Sequence, residues 1–259
     1  MTSDAPIMRV LEERRGAVLV LTLDQPARRN ALSMPLRTAL TAALERAQGD
    51  RGVRAVVVTG AGDHFCSGGD ISGMDVKSPM DGRERMRQSH QLIRLMALGS
   101  VPIVAAVEGF CVGAGLSLAC ACDTIIAAED ARLGAGFGRI GLMADLGLPH
   151  TLPLRVGQGR ARQILLYHEQ MTAAAAERIG LVDRLAPPGG ALDAALARAR
   201  LFHAAAPLPV ALTRQHFAAG LDAVLDWERE VQSALFLTAD HAEGKAAFLA
   251  KRPPVFRGG

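Results

Sequence analysis

The chain has 259 residues, 49% of them apolar, and a formal net charge of +3. This is a globular composition, long enough for one large domain or a core with an appendage, and no apolar run approaches the roughly 20 residues that a bilayer helix needs. The first residues carry no basic stretch followed by an apolar one, so no secretory signal is read and a cytoplasmic location is expected.

Taken in chain order, the pattern opens with two strands, Met8–Glu12 and Ala17–Leu23, around a turn at Gly16. Ser33 is placed to cap a helix with apolar residues at helical spacing up to Asp50. "VRAVVVTGAG" is a buried strand ending in glycines. A polar loop follows, then an Arg- and Gln-rich helix from about Gly82 to Gly99. "VPIVAAVEG" is the next strand, Gly113 opens the next helix, and "DTIIAAE" is a further strand. Such alternation implies a mainly parallel sheet layered with helices, an α/β fold. Beyond Asp145 the pattern is helical: 145–156, 159–166, 172–179, 190–205, 208–219, 221–238 and 242–251. "APPGG" is the clearest break, dividing a core (1–188) from a helical region (189–259). Trp227, Phe236 and Leu237 in that region read as apolar positions that pack on another subunit or back over the core.

Several function classes drop out. The arginines are scattered and aromatics make up 4% of the chain, which argues against nucleic acid. A few arginines near a pocket would still suit a phosphorylated ligand. Cys66, Cys111, Cys120 and Cys122 form no CxxC pair and read as buried free thiols. The seven histidines are dispersed, so no metal site is expected. Neither GxxxxGK[ST] nor a full dinucleotide fingerprint is present. "GLSLA" is an incomplete nucleophile elbow.

Two strand-to-helix loops share one design. The first runs Ser67-Gly68-Gly69-Asp70, the second Gly113-Ala114-Gly115. In a parallel sheet both emerge at the carboxyl ends of strands, where ligands bind. Gly68 and Gly69 let backbone N–H groups approach a ligand closely. Ala114 begins a helix, so its N–H has no intrahelical acceptor. Two unpaired amides aimed at one point make an oxyanion hole; taken singly, each glycine also fits a tight turn or close packing.

On "RRNALS", "FCSGGDIS", "VPIVAAVEGFCVGAGLSLACACD", "ARLGAGFGRIGLMADLGLPHTLPLRVG" and the tail "EGKAAFLAKRPPVF", the sequence resembles the crotonase (enoyl-CoA hydratase/isomerase) family over almost its whole length. The resemblance implies a spiral of ββα turns with a C-terminal helical region, assembled as a homotrimer or dimer of trimers. It also implies an acyl-CoA substrate, with no cofactor beyond that coenzyme. It assigns the oxyanion donors to the N–H groups of Gly69 and Ala114. Arg28 or Arg29 would meet the CoA phosphates, and Phe65, Ser67, Asp70 and Ile71 would line the adenine and pantetheine channel. Phe248 and Lys251 would reach a CoA from the tail, Lys251 in its own or a neighbouring subunit; Lys251 equally reads as a solvated helix end.

The two glutamates that hydratases of the family resemble one another in would fall at Ser117 and Phe137, and neither is a carboxylate here. Asp145, in "GLMADLG", stands where other members place an aspartate that serves as sole base in isomerases or as nucleophile in dehalogenases. Leu142, Met143, Leu146 and Phe137 should desolvate it and raise its pKa. The competing reading is an N-cap for the helix running to Val156. Three functions follow: double-bond isomerisation with Asp145 as single base, hydration with atypical acids, or a non-catalytic CoA-binding scaffold. The segment from Lys77 to Leu98 is expected to shape the acyl pocket.

Overall fold

A computed structural model describes residues 9–259. The strands are β1 (Arg9–Arg15), β2 (Val18–Asp24), β3 (Ala55–Gly60), β4 (Ile103–Val107), β5 (Phe110–Val112), β6 (Thr124–Ala128), β7 (Arg132–Gly134), β8 (Gln170–Thr172) and β9 (Arg184–Ala186). The α-helices are α1 (Met34–Gly49), α2 (Pro79–Leu98), α3 (Ala114–Cys120), α4 (Leu148–Tyr167), α5 (Ala173–Arg178), α6 (Ala191–Arg200), α7 (Pro207–Phe217), α8 (Leu221–Leu235) and α9 (Ala239–Leu249).

Six strands form one sheet in the order β1-β2-β3-β4-β6-β9. β1 pairs antiparallel with β2 through the turn at Gly16, whose φ of +69° suits glycine. From β2 onward every pairing is parallel. Such strands are covered on both faces, which is why "AVVV" and "IVAAV" are apolar without alternation. One face packs on α1, α2, α3 and α4 through residues such as Leu36, Leu40, Leu44, Leu92, Leu116 and Leu148. Full burial of each leucine contributes about 1.5–3 kcal/mol before the ordering entropy is counted. The other face is closed by α6, whose Ala191, Ala195, Leu196 and Ala199 meet Val18, Val57, Val104 and Ile126. The break at Pro187–Gly190 is thus the turn between β9 and the helix lying on the same sheet.

A second sheet, β5-β7-β8, stands beside the first. Its strands have three residues each, too short to show a period of two, and the sequence pattern does not mark them. α1 starts as expected, Ser33 accepting from Leu36 N–H; α2 and α9 start earlier than expected, at Pro79 and Ala239, because Ser78 accepts from Asp81 N–H and Thr238 from His241 N–H. The segment after Asp145 also differs. Leu146 (φ +56°) and Gly147 (φ +72°) are left-handed, so α4 begins at Leu148 rather than at Asp145, and Gly157 (φ +74°) interrupts it where a break was expected. Of the three apolar positions singled out in the helical region, Trp227 and Leu237 keep much of their surface exposed. Phe236 instead packs back over Met74, Met86, Ile140 and Leu142. All four cysteines are buried and unpaired. Among the described residues no helix is long and apolar enough to cross a membrane.

Candidate active site

The two glycine loops lie against each other because their backbones pair. Cys66 N–H donates to Phe110 O at 2.9 Å, and Val112 N–H donates to Cys66 O at 3.0 Å. Gly115 has no room for a side chain, since a Cβ there would fall 2.4 Å from Cys66 O. Gly113 holds φ +55° and ψ −122°, a conformation reserved for glycine. A Cβ on Gly113 would sit 3.7 Å from Gly68 Cα, so the two turns are in van der Waals contact. Leu32 N–H donates to Gly68 O at 2.7 Å, which fixes the first turn from a third segment. Among the described residues, no protein acceptor takes the N–H of Gly69 or of Ala114. Both residues line a cavity of about 750 Å³.

Asp145 lines the same cavity. The left-handed pair Leu146-Gly147 turns the chain sharply after it. Ser117 Oγ donates to the Asp145 carbonyl at 2.9 Å and holds the backbone in place. Gln232 Nε2 donates to Asp145 Oδ2 at 2.9 Å. The carboxylate is therefore not an N-cap; that position falls to Gly147, and its N–H donates to Glu228 Oε1 at 3.0 Å. Burial pushes the Asp145 carboxyl up to about 6, helped by the neighbouring Glu228 and opposed by Arg37 and Gln232. At neutral pH such a group is mostly ionised yet close enough in pKa to accept a proton and return it.

Behind Asp145 lies a second buried pair. His90 Nε2 and Glu228 Oε2 are 3.1 Å apart, with both side chains shut off from solvent. Desolvation pushes the Glu228 carboxyl up and the His90 imidazole down, so burial disfavours the ion pair and favours an uncharged hydrogen bond.

Most of the residues expected at the site are brought together. Arg28, Arg29, Ser67, Gly68, Asp70, Ile71, Gly113, Phe137 and Phe248 all line the cavity. Arg28 Nη1 donates to Asp70 Oδ2 at 2.9 Å and to Ser72 Oγ at 3.0 Å, while the Arg29 guanidinium lies 5.3 Å over the Phe110 ring. Three residues fall elsewhere. Phe65 is wholly buried in the main core, beneath the loop rather than on the cavity wall. Ser117 is wholly buried too, and acts on Asp145 from behind. Lys251 is exposed, just past the end of α9, and does not reach the cavity of its own chain.

Sequence reasoning missed four polar residues here: Arg37, His90, Glu228 and Gln232. A signal was present for three of them. Arg37 interrupts the buried stripe of α1 beside Leu36 and Leu40. Glu228 and Gln232 continue the stripe of α8 that starts with Leu221 and Leu225, at spacings of three and four. A charged or amide side chain on the buried stripe of a helix has a partner or a task.

Comparison with known proteins identifies the family. A family profile described as enoyl-CoA hydratase/isomerase matches residues 13–259. The chain is 39% identical over 244 residues to a probable enoyl-CoA hydratase of Rhodobacter capsulatus, an alignment spanning 92% of this chain and 94% of that one. It is 32% identical to the 1,2-epoxyphenylacetyl-CoA isomerase of Escherichia coli, over 96% of this chain and 98% of the other. The crystal structure of an enoyl-CoA hydratase from Mycobacterium avium subsp. paratuberculosis superposes with a TM-score of 0.87 at 31% identity, covering 97% of this chain and 100% of that one. Paired glycine loops, a shared cavity and similarity along nearly the entire length place the chain in the crotonase, or enoyl-CoA hydratase/isomerase, family.

Proposed function

We propose that this enzyme moves a double bond within an acyl-CoA thioester, with Asp145 as its single base. The thioester oxygen accepts hydrogen bonds from the N–H groups of Gly69 and Ala114. The Asp145 carboxylate removes a proton from the carbon next to the thioester. The electron pair left behind delocalises as a dienolate, whose negative oxygen the two amides stabilise. The same proton then returns from Asp145 to the far carbon of the allylic system, and the double bond comes to rest next to the thioester. Atoms and charge balance without a metal or a second cofactor; the coenzyme is part of the substrate.

The observation that carries this reading is the state of the carboxylates on the cavity wall. Asp70 is engaged by Arg28 and by the turn it caps. Asp145 is buried, has its pKa raised, and forms no salt bridge among the described residues. Addition of water needs one group to activate the water and another to protonate carbon, whereas isomerisation needs one group used twice. Ser117 and Phe137 stand where the family resemblance puts the two hydratase glutamates.

Hydration is the second reading, favoured by the hydratase name of the Rhodobacter capsulatus relative. Purified protein offered 3-enoyl-CoA and 2-enoyl-CoA thioesters separates the two. Isomerisation that disappears in Asp145→Asn supports the proposal. Hydration that survives that substitution supports the second reading, and binding without turnover makes the protein a carrier. The proposal includes a homotrimer or dimer of trimers, which analytical ultracentrifugation checks.

A further inference from the structure

Arg37 is a buried cation that the proposed proton transfer does not use. Its residue keeps 4% of its surface accessible, and it lines the cavity that contains Asp145. Two of its three guanidinium nitrogens are used inside the protein. Nε donates to Leu32 O at 3.3 Å, and Nη1 donates to Ser89 Oγ on α2. Nη2 has no protein acceptor among the described residues. It stands beside the oxyanion hole, since a Cβ on Gly69 would lie 3.7 Å from it. No carboxylate forms a salt bridge with Arg37 among the described residues.

The surrounding charges sharpen the point. Burial is the main influence that lowers the basicity of Arg37, Arg85 on α2 adds to it, and Asp145 acts in the opposite direction. Asp145 acts on both arginines, and Asp70 acts on Arg85 as well. Asp145 is the one carboxylate that acts on Arg37, and it forms no salt bridge with it among the described residues. Burying a cation without a counterion is costly, and a ligand that brings the counterion recovers that cost.

We infer that the acyl group carries its own carboxylate, which pairs with Nη2 of Arg37, so that the substrate class is the mono-CoA thioester of a short dicarboxylic acid. A short chain is required because the guanidinium flanks the hole itself. The bound carboxylate would share the guanidinium plane with the two hydrogen bonds already holding it, which orients the acyl chain as well as attracting it.

This inference rests on the acyl-CoA reading, and a binding experiment separates the two. The probes are glutaryl-CoA and pentanoyl-CoA, equal in chain length and without a double bond to move. Calorimetric titration of the full-length protein should show glutaryl-CoA bound roughly 10- to 100-fold more tightly, the range of a charge-assisted hydrogen bond. Arg37→Met should bring that ratio to about one, and Arg37→Lys should retain part of it. Equal affinities in the unaltered protein, or a preference that survives in Arg37→Met, overturn the inference and leave the acyl-CoA reading standing. Failure to bind either thioester overturns both. If Arg37→Met does not fold, the ratio in the unaltered protein and in Arg37→Lys still decides the matter.

Discussion

Replacing Asp145 with asparagine should stabilise the fold while removing activity, and the size of the gain follows from its surroundings. The carboxyl titrates at about 6 in the folded chain against an ordinary 3.8, chiefly because burial penalises the charged form. The folded state thus prefers the protonated acid. Below about pH 4 no penalty exists. It accumulates as pH rises from 3.8 towards 6, and above that it is complete. At about 1.4 kcal/mol for each pH unit between the two values, the full penalty is about 3 kcal/mol. Asparagine never ionises, and its side-chain oxygen can still accept from Gln232 Nε2, so little else is lost. Urea unfolding of both proteins should therefore show Asp145→Asn more stable by up to about 3 kcal/mol at pH 7.5 and nearly equal at pH 4. Equal stability at pH 7.5, or a gain of the same size at both pH values, would refute the claim that Asp145 is held as a strained anion.

The same carboxyl should govern the rate: kcat/KM for isomerisation should rise with pH through an apparent pKa near 6, and a profile flat from pH 5 to 8 would count against Asp145 as the base. Gln232→Leu removes a hydrogen bond that favours the ionised form, so the rising limb should move to higher pH in stopped-flow or steady-state assays. Ala114→Pro deletes one amide at the first position of α3, where proline is tolerated, and should cut kcat by about 10²–10³ with the circular dichroism spectrum preserved. Glu228→Ala strips the buried Gly147 N–H of its acceptor and should cost about 1–3 kcal/mol in thermal or urea unfolding, whereas Glu228→Gln should restore most of it.

The parts of this architecture that are legible in the sequence are those fixed by local chemistry. β3 and β4 announce themselves as β-branched runs, and α1 by its hydroxyl cap at Ser33. The facing loops show as glycines at strand ends. The parts that are not legible depend on partners far along the chain. β5 and β7 exist because each extends the other. The start of α4 is set by two left-handed residues, and nothing in "MADLGLPH" marks Leu146 as one of them. Asp145 is recognisable as the carboxylate proposed as base, but its setting comes from Ser117, 28 residues earlier, and from Gln232, 87 residues later. The family resemblance implies Phe65 on the channel wall. An extended segment alternates its side chains, and this one points into the core.

The contact between the turns at Gly68 and Gly113 has a consequence for how this scaffold can be altered. The proposed oxyanion hole is built from peptide groups on loops riveted together by Cys66, Phe110 and Val112, so no side-chain exchange at 114 short of proline removes its amide. In the proposed reaction, a carboxylate near that fixed anchor, at 137 or 145, can then be exchanged to rewrite the chemistry while the two amides stay in place.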